Sequence, residues 1–66
     1  MEIHHPERLD AHILLGIVNE RLRLSCDNLG ELEEDLGISG AQLEHKLGAI
    51  GFHYLPEQNQ FRREGE

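Results

Sequence analysis

The 66-residue sequence contains one cysteine, no tryptophan and only three other aromatic residues. A single cysteine excludes an internal disulfide and is typical of a reducing compartment, so we predict that Cys26 is a small, partly buried apolar residue. No apolar run approaches the roughly 20 residues that span a bilayer, and no hydrophobic stretch follows a basic N-terminus as in a signal peptide. We therefore expect a cytoplasmic protein with no membrane partner.

Positive charge is also scarce, because six Lys and Arg residues stand against thirteen Asp and Glu residues, for a net charge of -7. This balance repels a phosphate backbone on average, so nucleic-acid binding would require a local basic patch. Two pairs of cations could form one: Arg21 with Arg23, and Arg62 with Arg63. We therefore rank nucleic acid below protein as a partner.

Length and composition predict one small globular domain over residues 1–66. A hydrophobic share of 38% and a charged share of 29% exclude wholesale disorder. A domain of this size is near the lower limit at which a single apolar core is stable without metals or disulfides. We expect an ordered core over about 9–62 and frayed ends.

The segment 32–47 has the spacing of two short helices joined by a tight turn, which is the pattern of a helix-turn-helix. Gly37 can take the left-handed conformation that ends a helix, and Ile38 follows it at the corner. Leucines one helical turn apart are expected to face each other across this corner: Leu32 and Leu36 before it, Leu43 and Leu47 after it.

Capping signals set the limits of three predicted helices. The first, over about 10–23, follows the N-cap candidate Asp10, with a start at Pro6 as the alternative. We expect Gly51 to end the third helix in the way that Gly37 ends the second. The second and third helices, over about 29–36 and 40–49, are predicted to start with capping boxes: Asn28 with Glu31, and Ser39 with Gln42.

After Gly51 the pattern changes to a period of two, which predicts a β-hairpin whose loop contains Asn59 in a positive φ conformation. The hairpin needs packing against the helices, which we expect from Phe52, Tyr54 and Phe61. The predicted fold is mainly α: a three-helix, helix-turn-helix or winged-helix-like domain with a small C-terminal β-hairpin. Its predicted core comprises Ile13, Leu14, Ile17, Val18, Leu22, Leu32, Leu36, Ile38, Leu43, Leu47, Ile50, Phe52 and Phe61.

The block 32–47 resembles the generic helix-turn-helix of bacterial regulators, with 36–39 (Leu-Gly-Ile-Ser) as its most specific part. Two positions depart from that motif. Glu33 occupies a position that usually holds a small residue packed between the helices, and Lys46 occupies one that is often apolar. The resemblance implies the geometry of the motif more strongly than DNA binding.

From Asp10 to Arg62 the chain also resembles an uncharacterised family of short bacterial proteins that is defined only as a domain of unknown function. Asn59-Gln60-Phe61 after the turn is the most distinctive part of the resemblance. It implies a free-standing bacterial protein, and it brings with it no activity and no functional residue. The other residues that carry it are Leu14-Leu15, Val18-Asn19, Leu22-Arg23, Leu29, Leu32, Leu36, Leu43, Lys46-Leu47, Ile50-Gly51 and Tyr54.

Catalysis needs groups that converge in a concave pocket, which a domain this small rarely has. His45 with Glu44, and His53 with Glu57, are the candidate acid/base pairs, but single histidines beside carboxylates are common on protein surfaces. We therefore predict that the protein is not an enzyme.

Zinc is bound by Cys and His side chains, and the candidates here are His4, His5 and His12 with Cys26. No pair of these ligands is matched by a second pair at zinc-finger spacing. His4 and His5 lie on a tail where adventitious metal capture is expected instead. We predict no built metal site and no cofactor.

As a DNA-reading helix, the third helix is predicted to offer few of the side chains that recognise bases. Only Gln42, at the margin of its outward face, belongs to the Arg, Lys, Asn and Gln set, and phosphates would repel Glu44. The hairpin supplies the candidate nucleic-acid contacts Gln58, Arg62 and Arg63. The predicted outward residues of the third helix are Ser39, Gly40, Ala41, Glu44, His45 and Gly48.

Asn19 lies beside the apolar stripe of the first helix, and Gln60 lies in the second strand. A polar side chain in such a place either contacts a partner or bonds to neighbouring backbone. We favour the bond to backbone for both.

The sequence has more apolar residues than so small a core can hold. An exposed apolar patch often marks a contact surface. The leading hypothesis is therefore a non-enzymatic interaction module that binds a protein partner or itself, with Leu15, Leu24, Tyr54 and Leu55 as candidate contact residues. The alternative is a dimeric DNA-binding helix-turn-helix regulator.

Overall fold

The computed structural model describes residues 5–63 and has three α-helices followed by a two-stranded sheet. The predicted mainly α fold with a C-terminal hairpin is confirmed. The expected fraying of the ends falls largely on residues 1–4 and 64–66, outside the described range. Across the described range, no helix is long and apolar enough to cross a membrane. The elements in chain order are a 3-10 helix Pro6–Arg8, α1 Ala11–Leu24, α2 Leu29–Leu36, α3 Gly40–Gly48, β1 Phe52–Leu55 and β2 Gln60–Arg63.

The start of α1 follows the prediction made from Asp10. Its carboxylate accepts hydrogen bonds from the backbone N–H of His12 at 2.8 Å and of Ile13 at 3.4 Å. Pro6, the alternative start, begins the separate 3-10 helix instead. Side-chain capping of the first N–H groups therefore fixes where α1 begins.

The two predicted capping boxes differ in the structure. At α3 the box is complete, with Ser39 and Gln42 bonding to each other's backbone N–H. At α2 the side chain of Asn28 accepts from Glu31 N at 2.9 Å, but the carboxylate of Glu31 accepts from Asp27 N at 2.6 Å. The capping box of α2 is therefore displaced by one residue, because the Glu31 carboxylate accepts from the residue before the N-cap and not from the N-cap itself.

Gly37 and Gly51 also differ from each other, although both have positive φ. Gly37, with φ 69, ends α2 in the left-handed conformation as predicted. In contrast, α3 ends at Gly48 and the next residue, Ala49, remains right-handed. Gly51, with φ 86, donates to Gly48 O at 2.9 Å and turns the chain into β1. The prediction that Gly51 caps α3 as Gly37 caps α2 is wrong.

The buried core draws on all three helices and the second strand. Cys26 is buried, more fully than predicted. The prediction for Ile13 is wrong, since this side chain is 57% exposed, and Ile17, Ile50 and Phe52 are only half-buried. The core residues are Leu14, Val18, Leu22, Cys26, Leu32, Leu36, Ile38, Leu43, Leu47 and Phe61.

The position of Ile13 follows from the geometry of α1. Leu14, Val18 and Leu22 recur at four-residue spacing and form the buried stripe of this helix. Ile13 lies about 100° around the helix axis from Leu14 and further from Val18. The other elements cover the side of α1 that carries Leu14, which leaves Ile13 in solvent.

The hairpin packs on the helices through its aromatic face. The strands are antiparallel, with Tyr54 opposite Phe61 and Phe52 opposite Arg63. The rings of Tyr54 and Phe61 lie 5.5 Å apart, and Phe61 is fully buried. Phe52 and Tyr54 are half-buried against the core. The predicted packing role of the three aromatic residues is confirmed.

A network of side-chain amides ties the hairpin to α1. Asn19 bonds to both backbone groups of Phe61, donating to its oxygen at 3.1 Å and accepting from its nitrogen at 2.8 Å. Gln60 Nε2 donates to Asn19 O at 3.0 Å. The predicted bonds of Asn19 and Gln60 to neighbouring backbone are confirmed. We call Asn19, Asn59 and Gln60 the amide network.

Asn59 closes the other end of this network. It has the predicted positive φ, at 52. Its Nδ2 donates to Leu22 O and Cys26 O, both at 2.9 Å, and its Oδ1 accepts from the Tyr54 hydroxyl at 2.7 Å. Asn59 therefore shapes the hairpin loop and satisfies carbonyl groups at the end of α1.

Candidate interaction surfaces

A row of side chains follows the solvent side of α1. Ile13, Ile17, Glu20 and Leu24 recur at spacings of three or four residues, so they lie along one side of the helix. Leu24 is 71% exposed and Ile13 is 57% exposed, the two large apolar side chains with the greatest exposure among the described residues. Ile17 is half-buried, and the exposed Gly16 lies beside it. We call Ile13, Ile17, Glu20 and Leu24 the outer row of α1.

The predicted partner-contact residues do not form one patch. Leu15 and Leu24 are nine residues apart on α1, which places them on opposite sides of the helix. Leu15 packs against the core and Leu24 is exposed. Tyr54 and Leu55 are neighbours in a strand and point to opposite faces, and Tyr54 packs on the core. Among the four, Leu24 is the exposed one.

A second surface lies on α3. Ala41, Gln42, His45, Lys46 and Ala49, with Ala11 from the start of α1, line an open groove of about 610 Å³. We call the five residues from 41 to 49 the α3 face. The outward residues predicted for α3 are partly wrong, because Gly40 is buried and Gly48 is half-buried. The exposed side of the helix is turned toward Gln42 and Ala49.

The carboxylate of Glu33, on α2, is bonded away from the α3 face. Its Oε2 accepts a hydrogen bond from Gly40 N at the start of α3. Gly40 is buried there, and a Cβ at this position would lie 3.1 Å from Glu33 Oε2. The helix-turn-helix motif usually has a small residue at the position of Glu33. Here the larger side chain is on the first helix, and the small residue at the contact is Gly40 on the second helix.

Glu44, which was expected to point outward and repel phosphates, joins α3 to the hairpin. Its Oε1 accepts from Tyr54 N at 3.0 Å, and its Oε2 lies 3.3 Å from His53 Nδ1. The sequence suggested His45 with Glu44 and His53 with Glu57 as acid/base pairs. The structure instead places His53 beside Glu44. The α3 face itself carries no carboxylate.

The hairpin residues proposed for nucleic-acid contact make local contacts. Arg62 Nε donates to Gln58 Oε1 at 3.1 Å. The guanidinium of Arg63 lies 5.6 Å from the ring centre of Phe52, within cation–π range. Arg62 is opposite His53 in the sheet, and both are exposed. Arg62 and His53 thus form the solvent side of the hairpin next to α3.

Negative charge is concentrated around α2. Asp27, Glu31, Glu34 and Asp35 are all exposed. Asp35 forms an ion pair with Arg21, which links α2 to α1. Three of these residues lie within one and a half turns of helix, so this part of the surface is strongly acidic, although Asp10, Glu20 and Glu57 are exposed elsewhere.

The candidate metal ligands remain apart. His4 lies outside the described residues, Cys26 is buried, and His12 is exposed beside Asp10. Within residues 5–63, no three His, Cys, Asp or Glu side chains converge on a point that could hold a metal ion.

Residues 8–61 match the family described as a domain of unknown function, DUF4250. The chain belongs to this family. No curated protein and no solved structure matches the sequence. The DUF4250 match includes α1, α2, α3 and most of the hairpin, together with the whole amide network. It stops before Arg62 and Arg63.

The polar residues that stand out in the sequence at Asn19 and in the segment 59–61 have a structural explanation. Asn19 and the segment 59–61 are far apart in the chain, yet they are joined by the hydrogen bonds of the amide network. Phe61 adds a fully buried ring to the core. Asn19 and the segment 59–61 therefore hold the scaffold together, and the candidate contact surfaces have to be found from exposure and charge.

Proposed function

We propose that the protein is a non-enzymatic interaction module that binds a protein partner, or a second copy of itself, through the outer row of α1. One observation carries this proposal: Ile13 and Leu24 expose most of their apolar surface on the same side of one helix. Burial of apolar surface stabilises association by roughly 25 cal/mol per Å². The half-buried Ile17 extends this row between them.

The arrangement of the row suits a helix or a sheet edge as the bound element. Gly16 leaves open space beside Ile17, because, apart from its chain neighbours and the backbone of α1 itself, no described atom lies within 4 Å of the position that its Cβ would take. A partner backbone can therefore approach α1 closely at its middle. Glu20 and the Arg21–Asp35 ion pair border the apolar residues and supply a polar rim.

Sedimentation and partner capture test this proposal with one variant and one matched control. Ile13→Lys combined with Leu24→Lys places two charges in the row, and because both residues are exposed the fold should be retained. Ala41→Lys combined with Ala49→Lys adds the same two charges at exposed positions of the α3 face instead. We expect self-association, or a captured protein, that the control retains and the outer-row variant loses.

Two results would contradict the proposal. One is a wild-type protein that stays monomeric up to millimolar concentration and captures no protein that the outer-row variant loses. The other is association that the outer-row variant retains in full. Far-ultraviolet circular dichroism of all three proteins checks that each is folded.

A further inference from the structure

We infer that the α3 face is a binding site for duplex nucleic acid, a function beyond the protein contact proposed for α1. The inference begins with the polar atoms that this face presents. Lys46 and the Nε2 of Gln42 are hydrogen-bond donors, and His45 adds a ring N–H. None of the described residues that line the groove is an Asp or a Glu, although the chain has thirteen of them. A surface of donors fits a ligand that is rich in acceptors.

The absence of carboxylates from the face has a structural cause. Glu44 is the one acidic residue within α3, and Glu33 of α2 reaches the start of α3. Both carboxylates accept hydrogen bonds from backbone N–H groups of other elements. Asp27, Glu31, Glu34 and Asp35 lie on or just before α2. Carboxylates are therefore exposed on α2, whereas the described residues of the α3 face offer donors without a carboxylate, which suits a polyanion.

The shape of the face also suits a duplex. Ala41 and Ala49 are exposed and short, so the backbone of α3 can approach a groove floor closely. Alanine methyl groups also contact thymine methyl groups in the major groove, and Lys and Gln donate to base edges there. The second helix of a helix-turn-helix is the element that enters this groove, and α3 holds that position here.

The hairpin places a further cation, Arg62, on the side next to α3. His53 lies next to Gly48, with its ring 3.5 Å from the position of a Cβ on that glycine. Arg62 is opposite His53 on the exposed side of the sheet. The bond from Arg62 Nε to Gln58 leaves the other N–H groups of the guanidinium for a phosphate. We therefore assign Arg62 to the phosphate backbone, and Lys46, His45 and Gln42 to the groove.

Fluorescence anisotropy tests the inference with a labelled random-sequence duplex about two helical turns long. At low salt we expect binding to the full chain with a dissociation constant of about 10⁻⁵ M, and steep weakening as salt is raised. Arg62→Ala should reduce the slope of log K against log salt by about 1. Ala49→Glu, which places a carboxylate in the groove, should abolish binding.

Two matched variants separate a site from general attraction. Arg23→Ala removes the same charge as Arg62→Ala, but from the end of α1, and should leave the salt slope unchanged. Ser25→Glu adds the same charge as Ala49→Glu, but at the end of α1, outside both the α3 face and the outer row, and should retain binding. All four variants alter exposed side chains, and circular dichroism confirms that each is folded.

Three results would overturn the inference: no binding of the duplex at low salt, equal losses in the matched variants, or tighter binding of a labelled polyglutamate peptide than of the duplex. The last result would assign the α3 face to an acidic polypeptide. None of these outcomes bears on the outer row of α1, because its test measures protein association without nucleic acid.

Discussion

The two helices of the helix-turn-helix, α2 and α3, are nearly equal in length and opposite in surface chemistry. The solvent side of α2 carries Glu31, Glu34 and Asp35, whereas that of α3 carries alanines and hydrogen-bond donors. The carboxylates of Glu33 and Glu44 serve as connections between elements. The net charge of -7 is therefore an average over surfaces that differ, with clustered carboxylates on α2 and none among the five residues of the α3 face.

The comparison also shows that position decides what a carboxylate does. Glu33 and Glu34 are neighbours in the same helix, yet one bonds to the buried Gly40 and the other is exposed. A charge run in sequence is usually a solvated helix face. Here Glu33 does not join the solvated face. Its carboxylate accepts from the backbone N–H of Gly40 at the start of α3, which lies close to it.

The largest effect is expected where α2 and α3 depend on the same core. Leu47→Ala on α3, or Leu36→Ala on α2, removes a buried leucine and should cost about 2 to 5 kcal/mol of unfolding free energy. A domain of this size has little more stability than that, so either variant should be largely unfolded at room temperature. Thermal denaturation followed by circular dichroism measures the loss.

Leu24→Ala is the control for those variants, since Leu24 is 71% exposed. It should melt close to the wild type. A Leu36→Ala or Leu47→Ala protein that melts within a degree or two of the wild type would show that the two helices do not share the core described above.

A smaller effect should separate the neighbouring carboxylates of α2. Glu33→Ala removes the acceptor for Gly40 N and should cost about 1 to 2 kcal/mol, because charged groups form stronger hydrogen bonds than neutral ones. Glu34→Ala removes the same charge from solvent and should change stability by less than about 0.5 kcal/mol. Urea denaturation of the two variants gives the difference, and equal values would mean that Glu33 is as solvated as Glu34.

How much of this fold follows from the sequence can be judged element by element. The limits of α1 and α2, the corner at Gly37 and the hairpin were predictable, because caps, glycine and residue periodicity act locally. Glu33 bonds to Gly40 and Glu44 bonds to Tyr54, seven and ten positions away. No rule of residue spacing predicts these bonds. Asn19 was assigned correctly because a polar residue beside an apolar stripe requires a partner.

The surfaces were harder to predict than the fold. Ile13 and Leu14 both fit an apolar stripe on α1, and only the position of the neighbouring elements decides which of them is buried. The exposed side of α3 was misplaced for the same reason. The hairpin packs along the side that carries Glu44 and Gly48, so Gln42 and Ala49 on another side of the helix are exposed to solvent. The amino-acid sequence specifies the stripes, and tertiary packing selects among them.

Two glycines of α3 provide the next contrast. A Cβ on Gly40 would lie 3.1 Å from Glu33 Oε2 and 3.3 Å from Leu29 Cδ2, whereas a Cβ on Gly48 would meet the His53 ring at an ordinary 3.5 Å. Gly48→Ala should therefore stabilise the protein by about 0.5 to 1 kcal/mol through helix propensity. Gly40→Ala should destabilise it by about 1 kcal/mol through crowding at the α2–α3 contact. Stabilisation by both alanines in thermal melts would show that the contact between Glu33 and Gly40 is loose.

The smallest effect concerns the acidic side of α2 itself. Asp35 and Glu34 are neighbours there, but Asp35 is paired with Arg21 whereas Glu34 lies near the like charge of Glu31. Asp35 pairs with Arg21 at a partly exposed position, so Asp35→Asn should cost roughly 0.5 kcal/mol at low ionic strength. Glu34 lies three residues from Glu31, and Glu34→Gln should stabilise the protein by about 0.3 kcal/mol by relieving repulsion between like charges. Both differences should vanish near 1 M salt, where the screening length is about 3 Å. Urea denaturation at low and high salt measures them. Stabilisation by Asp35→Asn would show that all the α2 carboxylates repel one another and that the link to α1 contributes nothing.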